Sequence, residues 1–394
     1  MDGVLGPWIG MAFAYWSALS KLKRKLIFFW RLKNVARNEM IHPGEILKRN
    51  LDAISMSPRE FSKRTGISEK QISLLLSGDA NVTFEIAERL GKFFEQTPAY
   101  WTSLQTIYEE AKKQDEDERS IEEDFRLLCG IDTKWRTKFF PNFTRTDKRS
   151  SVAESRRVLQ ASSLTNLSSP NLFVTYKELR SKNKADPFLQ NVWLSLAIKQ
   201  AKTSKPLHYD EDLFKGIMAK VKVLSNEEPL AFYPKLVSTF RKAGVYFAVV
   251  PYLAKTGIFG ASCWIEKEGE KYPMIALSNR GQMADVFWFS LCHEAAHVLM
   301  KHTKNLMMNS DDTRDNPIED EADRIGKSMI IAQEDWERFT RLGGGRHTKE
   351  GVVRFSKQQG VDPSIVAGWI CHDDQSKRIY YQSLMRKYDF SQLI

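Results

Sequence analysis

The sequence predicts an α+β protein: helical N-terminal parts followed by a C-terminal domain that mixes strands and helices. Three observations lead there. Residues 40–113 carry short apolar patterns at helical spacing, punctuated by Pro and Gly. From residue 231 the pattern changes to strand-like runs, GVYFAVVPYL (244–253), FGASCWIE (259–266) and YPMIALS (272–278). Long helical patterns then close the chain, and strands gathered ahead of helices mark α+β organisation. The expected division is a leader (1–39), a helical module (40–113), an acidic linker with a helical middle region (114–230), and an α+β domain (231–394).

At 394 residues, with 42% hydrophobic and 27% charged, the chain has the composition of an ordinary soluble protein. Four scattered cysteines with no CxxC pair point to a reduced, cytoplasmic protein and away from a disulfide framework or zinc ribbon. The net charge of +10 argues little for nucleic acid by itself. Half of it lies in residues 1–39, where seven Lys or Arg face Asp2 and Glu39. In that leader the charges follow the apolar run, the reverse of a secretory signal. The run is also shorter than the roughly 20 residues that span a bilayer. Interfacial attachment through the basic-aromatic stretch is the lesser alternative; a leader lying upstream of a natural start at Met40 is the expectation. The run DEDERSIEED (115–124), with seven acids against Arg119, reads as a solvated linker or exposed helix turn.

Within 40–113, Pro43 suits a first helical position and opens an amphipathic helix, GEILKRNLDAI. Ser57 N-caps a second helix that Gly66 stops; Ser68 caps a third ending at Gly78; Thr83 caps a fourth. Two short helices about a Gly-containing turn form a helix-turn-helix, whose second helix can enter a major groove. In that helix Ile72 and Leu75 face the core, while Lys70, Gln71 and Ser73 point outward beside Ser68. Gln can bond adenine bidentately and Lys can reach guanine or phosphate. Arg59, Lys63 and Arg64 on the preceding helix are placed to grip the backbone. Ten basic residues balance ten acidic ones over 40–113, so periodicity alone leaves a protein-contact bundle equally open.

The segment from MIHPGEIL through GIS to PAYWTSLQTIY resembles the HigA-type antitoxins of the Xre (lambda-repressor-like) helix-turn-helix superfamily. The resemblance implies a homodimer on a double-stranded DNA operator, autorepression, and a toxin protein as partner.

The other chemical signal is FWFSLCHEAAHVLMKH (287–302). His293 and His297 are four apart and share a helix face. Glu294 lies beside that face, suited to take a proton from a metal-bound water; this is the HExxH arrangement of zinc peptidases. A catalytic zinc takes three protein ligands and one open position. His302 follows His297 by five, but Met300 stands where one peptidase class requires glycine. The helix IEDEADRIGKSMI (318–330) offers Glu319, Glu321 and Asp323; Glu319 completes the set, and Asp323 on the same face holds a ligating histidine. Taken alone, that acidic trio reads as a solvated helix face.

The stretch LSNRGQMADVFWFSLCHEAAHVLMKH, followed by IEDEADRIGKSMI, resembles the ImmA/IrrE metallopeptidase family over roughly 231–372. That family implies a zincin-like, gluzincin-type site with Zn2+ on His293, His297 and Glu319, and Glu294 as catalytic base. It implies also a fusion to an Xre module, and a repressor as substrate. Ala295-Ala296 replace the family's Leu-Gly, and Ile325-Gly326 replace its Phe-Ala; ligands and base are kept, and proteolytic efficiency is what these departures put in question. The expected function is therefore a DNA-binding regulator and antitoxin with a zinc peptidase domain, the alternative being a non-enzymatic regulator whose second domain senses a ligand or contacts a protein.

Overall fold

The computed structural model describes residues 40–169, 174–178 (backbone), 185–203, 206–301, 317–342 and 347–393. The leader and His302 lie outside these residues. The chain forms two compact units, which divide between Glu122 and Glu123.

The first unit contains α1 (Pro43–Ala53), α2 (Pro58–Thr65), α3 (Glu69–Ser77), α4 (Phe84–Phe93) and the greater part of α5 (Pro98–Gly130). The expected caps form: the hydroxyls of Ser57, Ser68 and Thr83 accept from the amides of Glu60, Gln71 and Ile86. Gly66 and Gly78 end α2 and α3 in the left-handed conformation, φ 71° and 82°. At α1 the cap is His42, whose Nδ1 accepts from the Gly44 amide at 3.0 Å. The Ser/Thr/Asp/Asn preference at such positions does not reveal an imidazole cap. Gly44 has a second duty, because a Cβ there would lie 1.6 Å from the Leu75 carbonyl oxygen. Only a bare backbone lets the start of α1 cross the end of α3. Phe61, Ile72, Leu75 and Trp101 are fully buried in the resulting core.

The acidic run 115–124 is part of the continuous helix α5. Its last residue, Asp124, is not solvated: it is fully buried in the second unit. Its carboxylate accepts from Arg156 Nε at 2.6 Å, Ser163 Oγ at 3.0 Å and the Leu164 amide at 2.9 Å. Four donors around one buried anion, counting the Thr165 amide, offset the desolvation that a lone carboxylate would suffer.

The second unit adds α6 (Thr133–Phe139), α7 (Lys148–Leu159), β1 (Val174–Glu178), α8 (Pro187–Ala201), α9 (Glu211–Val221), α10 (Pro229–Lys242), β2 (Tyr246–Val250), β3 (Ile258–Lys267) and β4 (Glu270–Ser278). Helices α11 (Ala284–Leu299), α12 (Pro317–Ile330), α13 (Gln333–Leu342), α14 (Lys349–Gln359), α15 (Pro363–Asp373) and the short α16 (Arg378–Tyr381) follow. The three expected strands form, and β1 is a fourth that the reading of 114–230 as acidic linker and helical region misses. The sheet order is β1-β3-β4-β2, antiparallel except for the parallel β2–β4 pair.

No boundary falls at residue 231. Phe214, Met218 and Phe232 share one core with Phe247, Trp288 and Leu291. Trp135 on α6 and Trp193 on α8 both donate their indole N–H to the Pro251 carbonyl. Tertiary packing thus joins the middle region to the strands, which a change of sequence texture does not report.

Helix α11 runs through this core, buried on nearly every side. The C-terminal segment pins its first turn: the Ala284 amide donates to the Arg386 carbonyl, and Trp288 Nε1 donates to Tyr388 Oη at 2.8 Å. Helix α12 crosses α11 at Gly326, where a Cβ would stand 2.9 Å from the His293 amide nitrogen and 3.0 Å from its Cα. Gly326→Ala is therefore expected to force the helices apart and destabilise the fold by about 1–3 kcal/mol. Chemical denaturation measures this, and an unchanged midpoint would show that α12 is free to shift.

Candidate metal centre and nucleic-acid face

The crossing of α11 and α12 brings four predicted residues together. His293 and His297, 1% and 0% exposed, turn their Nε2 atoms toward each other at 3.0 Å. Glu319 on α12 meets both: Oε2 lies 3.2 Å from His293 Nε2 and Oε1 lies 3.3 Å from His297 Nε2. On the far side of the first ring, His293 Nδ1 lies 2.7 Å from Asp323 Oδ1. A carboxylate can only accept there, so Nδ1 carries a proton and Nε2 is the ring nitrogen that faces the cluster. Burial would push the Glu319 carboxyl up, but the His293 and His297 hydrogen bonds hold it down at about 2.

Two ring nitrogens and two carboxylate oxygens thus converge, a donor set that could hold a metal ion. The three side chains place one ligand atom each within 4.8 Å of the others, and no other His/Cys/Asp/Glu group among the described residues does so. Two nitrogens and an oxygen suit zinc. Glu321, on the same helix, is outside the cluster.

Glu294 takes a different direction from its neighbours. It is fully buried, and neither carboxylate oxygen meets hydrogen-bond geometry with a partner. Burial pushes its carboxyl up, while His293, His297 and the Ser262 hydroxyl draw it back. Room for it comes from Gly260 on β3, where a Cβ would lie 2.9 Å from Glu294 Cγ and Oε1. Gly260 and Gly326 are site residues that the metal motif does not indicate. Their only sequence signals are a glycine within a strand and a glycine within a helix.

On the first unit, Ile72 and Leu75 are buried as expected. Lys70 and Ser73 are exposed and Gln71 is half-buried, so one side of α3 faces outward. Arg59, Lys63, Arg64 and Ser68 are exposed as well. Arg64 pairs with Glu60 at 2.5 Å and Arg59 approaches Glu69 at 3.8 Å. Such exposed pairs contribute little to stability and release their cations readily.

The N-terminal unit has relatives of known sequence. It is 35% identical over 66 residues to the uncharacterized HTH-type transcriptional regulator YddM of Escherichia coli, a match of 17% of this chain and 70% of that protein. The chain belongs to the HTH-type transcriptional regulators. This HTH regulator is also 32% identical over 88 residues to virulence-associated protein I of Dichelobacter nodosus, covering 22% of this chain and 81% of the relative. A solved antidote protein of a HigA family from Coxiella burnetii shares 34% identity over 21% of this chain and 92% of its own, with a TM-score of 0.20. No protein-family model matches the chain. Among the described residues, no helix of the HTH regulator is long and apolar enough to cross a membrane, and its four cysteines are unpaired.

The cluster makes a graded prediction for metal content. Purified protein loaded with zinc is expected to hold about one ion per chain, lost in His293→Ala and Glu319→Ala but kept in Glu321→Ala. Asp323→Asn is expected to weaken zinc about 10- to 100-fold, because it frees the His293 ring. Metal analysis of the dialysed variants checks this; retention in Glu319→Ala would remove Glu319 from the ligand set.

Proposed function

We propose that this chain is a DNA-binding transcriptional regulator of the HigA antitoxin type that carries a zinc-dependent peptidase domain. The observation that carries the enzymatic half is the convergence of His293, His297 and Glu319 beside the buried carboxylate of Glu294. The regulatory half rests on family membership and on the outward side of α3. In this reading the protein is cytoplasmic, binds its operator as a homodimer, pairs with a toxin, and cleaves a repressor.

The chemistry follows from what each side chain does. His293, His297 and Glu319 would hold the metal, and Asp323 would keep His293 in the ligating tautomer. Bound zinc supplies Lewis acidity toward water and toward the scissile carbonyl. Glu294 accepts the proton from the attacking water at a carboxylate oxygen, a transfer favoured because burial makes that carboxylate a stronger base. The buried helix α11 excludes bulk water from the proton-accepting oxygens.

Glu294→Gln separates this reading from a non-catalytic domain. The variant keeps both histidines, so zinc and operator occupancy are expected to persist while cleavage is lost and the target genes stay repressed. Normal induction by zinc-loaded Glu294→Gln protein would show that the domain acts without catalysis. A stability readout accompanies it in the metal-free protein. A carboxyl whose folded pKa is raised loses stability as pH climbs from its ordinary value of 4.5 through the folded one. The variant is therefore expected to melt higher than wild type at neutral pH, with the difference vanishing below that ordinary value.

On DNA, Gln71→Ala is expected to relax sequence preference by roughly 1–3 kcal/mol, the worth of a bidentate base contact. Arg59→Ala is expected to weaken all sequences alike and to flatten the salt dependence. Titration against the gene's own upstream region at two salt concentrations checks both, and salt-insensitive binding would defeat the operator proposal.

A further inference from the structure

Beside the metal cluster, walled by α11, α12, α13 and α15, lies a cavity of about 820 Å³, within the size range of small-molecule sites. None of His293, Glu294, His297 and Glu319 lines it. Its walls are aromatic: Phe259, Phe289, Trp336 and Trp369, with the two indoles edge to face at 5.2 Å. Two polar atoms in the lining have no hydrogen-bond partner. Ser290 is 2% exposed with its Oγ unpartnered, and Asp285 Oδ1 is buried and unpartnered, the carboxylate otherwise accepting from the backbone amides of Asp285 and Val286 at the start of α11. Native interiors seldom leave such atoms unpaired, and both of these lie on α11 where it lines the cavity.

The charges separate by depth. Arg324, Lys327, Asp320, Glu337 and Asp373 are all exposed residues, so at the mouth the two signs mix. Among the less exposed lining residues, Asp285 and Asp323 are the ionisable ones, and both are acids. Asp323 is already engaged by His293. Asp285 sits where α15 presents Gly368, and a Cβ there would collide with the carboxylate at 2.2 Å from Oδ2. Asp285, Phe289 and His293 are spaced four apart on α11 and share one face. Cavity and metal cluster therefore follow one another along that helix, with Asp323 lining the first and bonded to the second.

We propose that this cavity binds an organic cation, a protonated amine or amidine on an apolar ring-sized body, with its charge on the Asp285 carboxylate and its ring between the aromatic walls. Tryptophan faces attract cations as well as apolar surface, so the walls and the carboxylate select the same chemistry. The assignment stands whether or not the neighbouring cluster holds zinc or performs hydrolysis.

Three probes with one body test it: phenethylamine, 2-phenylethanol and phenylacetate, titrated calorimetrically into the full chain. A fragment of this size is expected to bind in the millimolar range. Phenethylamine is expected to bind at least about tenfold more tightly than the alcohol, with phenylacetate weakest. In protein labelled with 5-fluorotryptophan, the amine is expected to move the Trp336 and Trp369 resonances, assigned with Trp336→Phe and Trp369→Phe. Asp285→Asn is expected to abolish the preference for the amine. Equal affinity for amine and alcohol, preference for phenylacetate, no amine binding, or shifts confined to other tryptophans would each overturn the proposal. The wild-type comparison decides even if a variant fails to fold. Repeating it in metal-free His293→Ala protein keeps the outcome separate from that of the peptidase reading.

Discussion

The closeness of α11 and α12 is the constraint on which the rest of the second unit depends. His293 and His297 are almost wholly removed from water, and a buried polar group left unpaired costs about 1–3 kcal/mol. Their described polar partners, Glu319 and Asp323, stand on α12. Those carboxylates reach the rings because Gly326 puts no atom between the two backbones. The same approach sets the spacing of the cavity, since Asp323 lines it while bonding His293. One missing methyl group thus holds together a ligand set, a ring orientation and a pocket wall.

Helix α11 carries an unusual load of unpaired polar atoms for so buried an element. Glu294, Ser290 and Asp285 all contribute. The surrounding packing makes this tolerable: Trp288, Leu291, Ala295 and Val298 are all buried in the main core, and Tyr388 and Arg386 secure the first turn. The apolar residues share one side of the helix, while Asp285, Ser290 and Glu294 are spread around the rest of its circumference, so that packing fixes the position of all three. That distribution is expected where a site is held rigid by elements that take no part in its chemistry.

The two units rest on different physics. In the first, local signals suffice: capping hydroxyls at Ser57, Ser68 and Thr83 and glycines at Gly66 and Gly78 delimit three short helices. Its outward cations are held only by exposed ion pairs, which phosphate can replace. In the second, no cap or turn signals the sheet order, and β1 is placed by pairing with β3 across the intervening α8, α9, α10 and β2.

By itself the sequence determined the helix-turn-helix, because caps, glycine stops and apolar spacing are local and act within a few residues. It determined the metal candidates too: a four-residue separation places His293 and His297 on one face of any helix. Helical spacing likewise put Glu319 and Asp323 on a common face. Only the tertiary structure decided that this face meets the histidines, that Glu321 does not, and that Glu294 is buried against Gly260. It also decided that Asp124, last in a run that reads as solvated, is an interior anion, and that residues 123–230 belong with the sheet. Each of these depends on desolvation and on the approach of segments far apart in the chain, which periodicity along the chain does not encode.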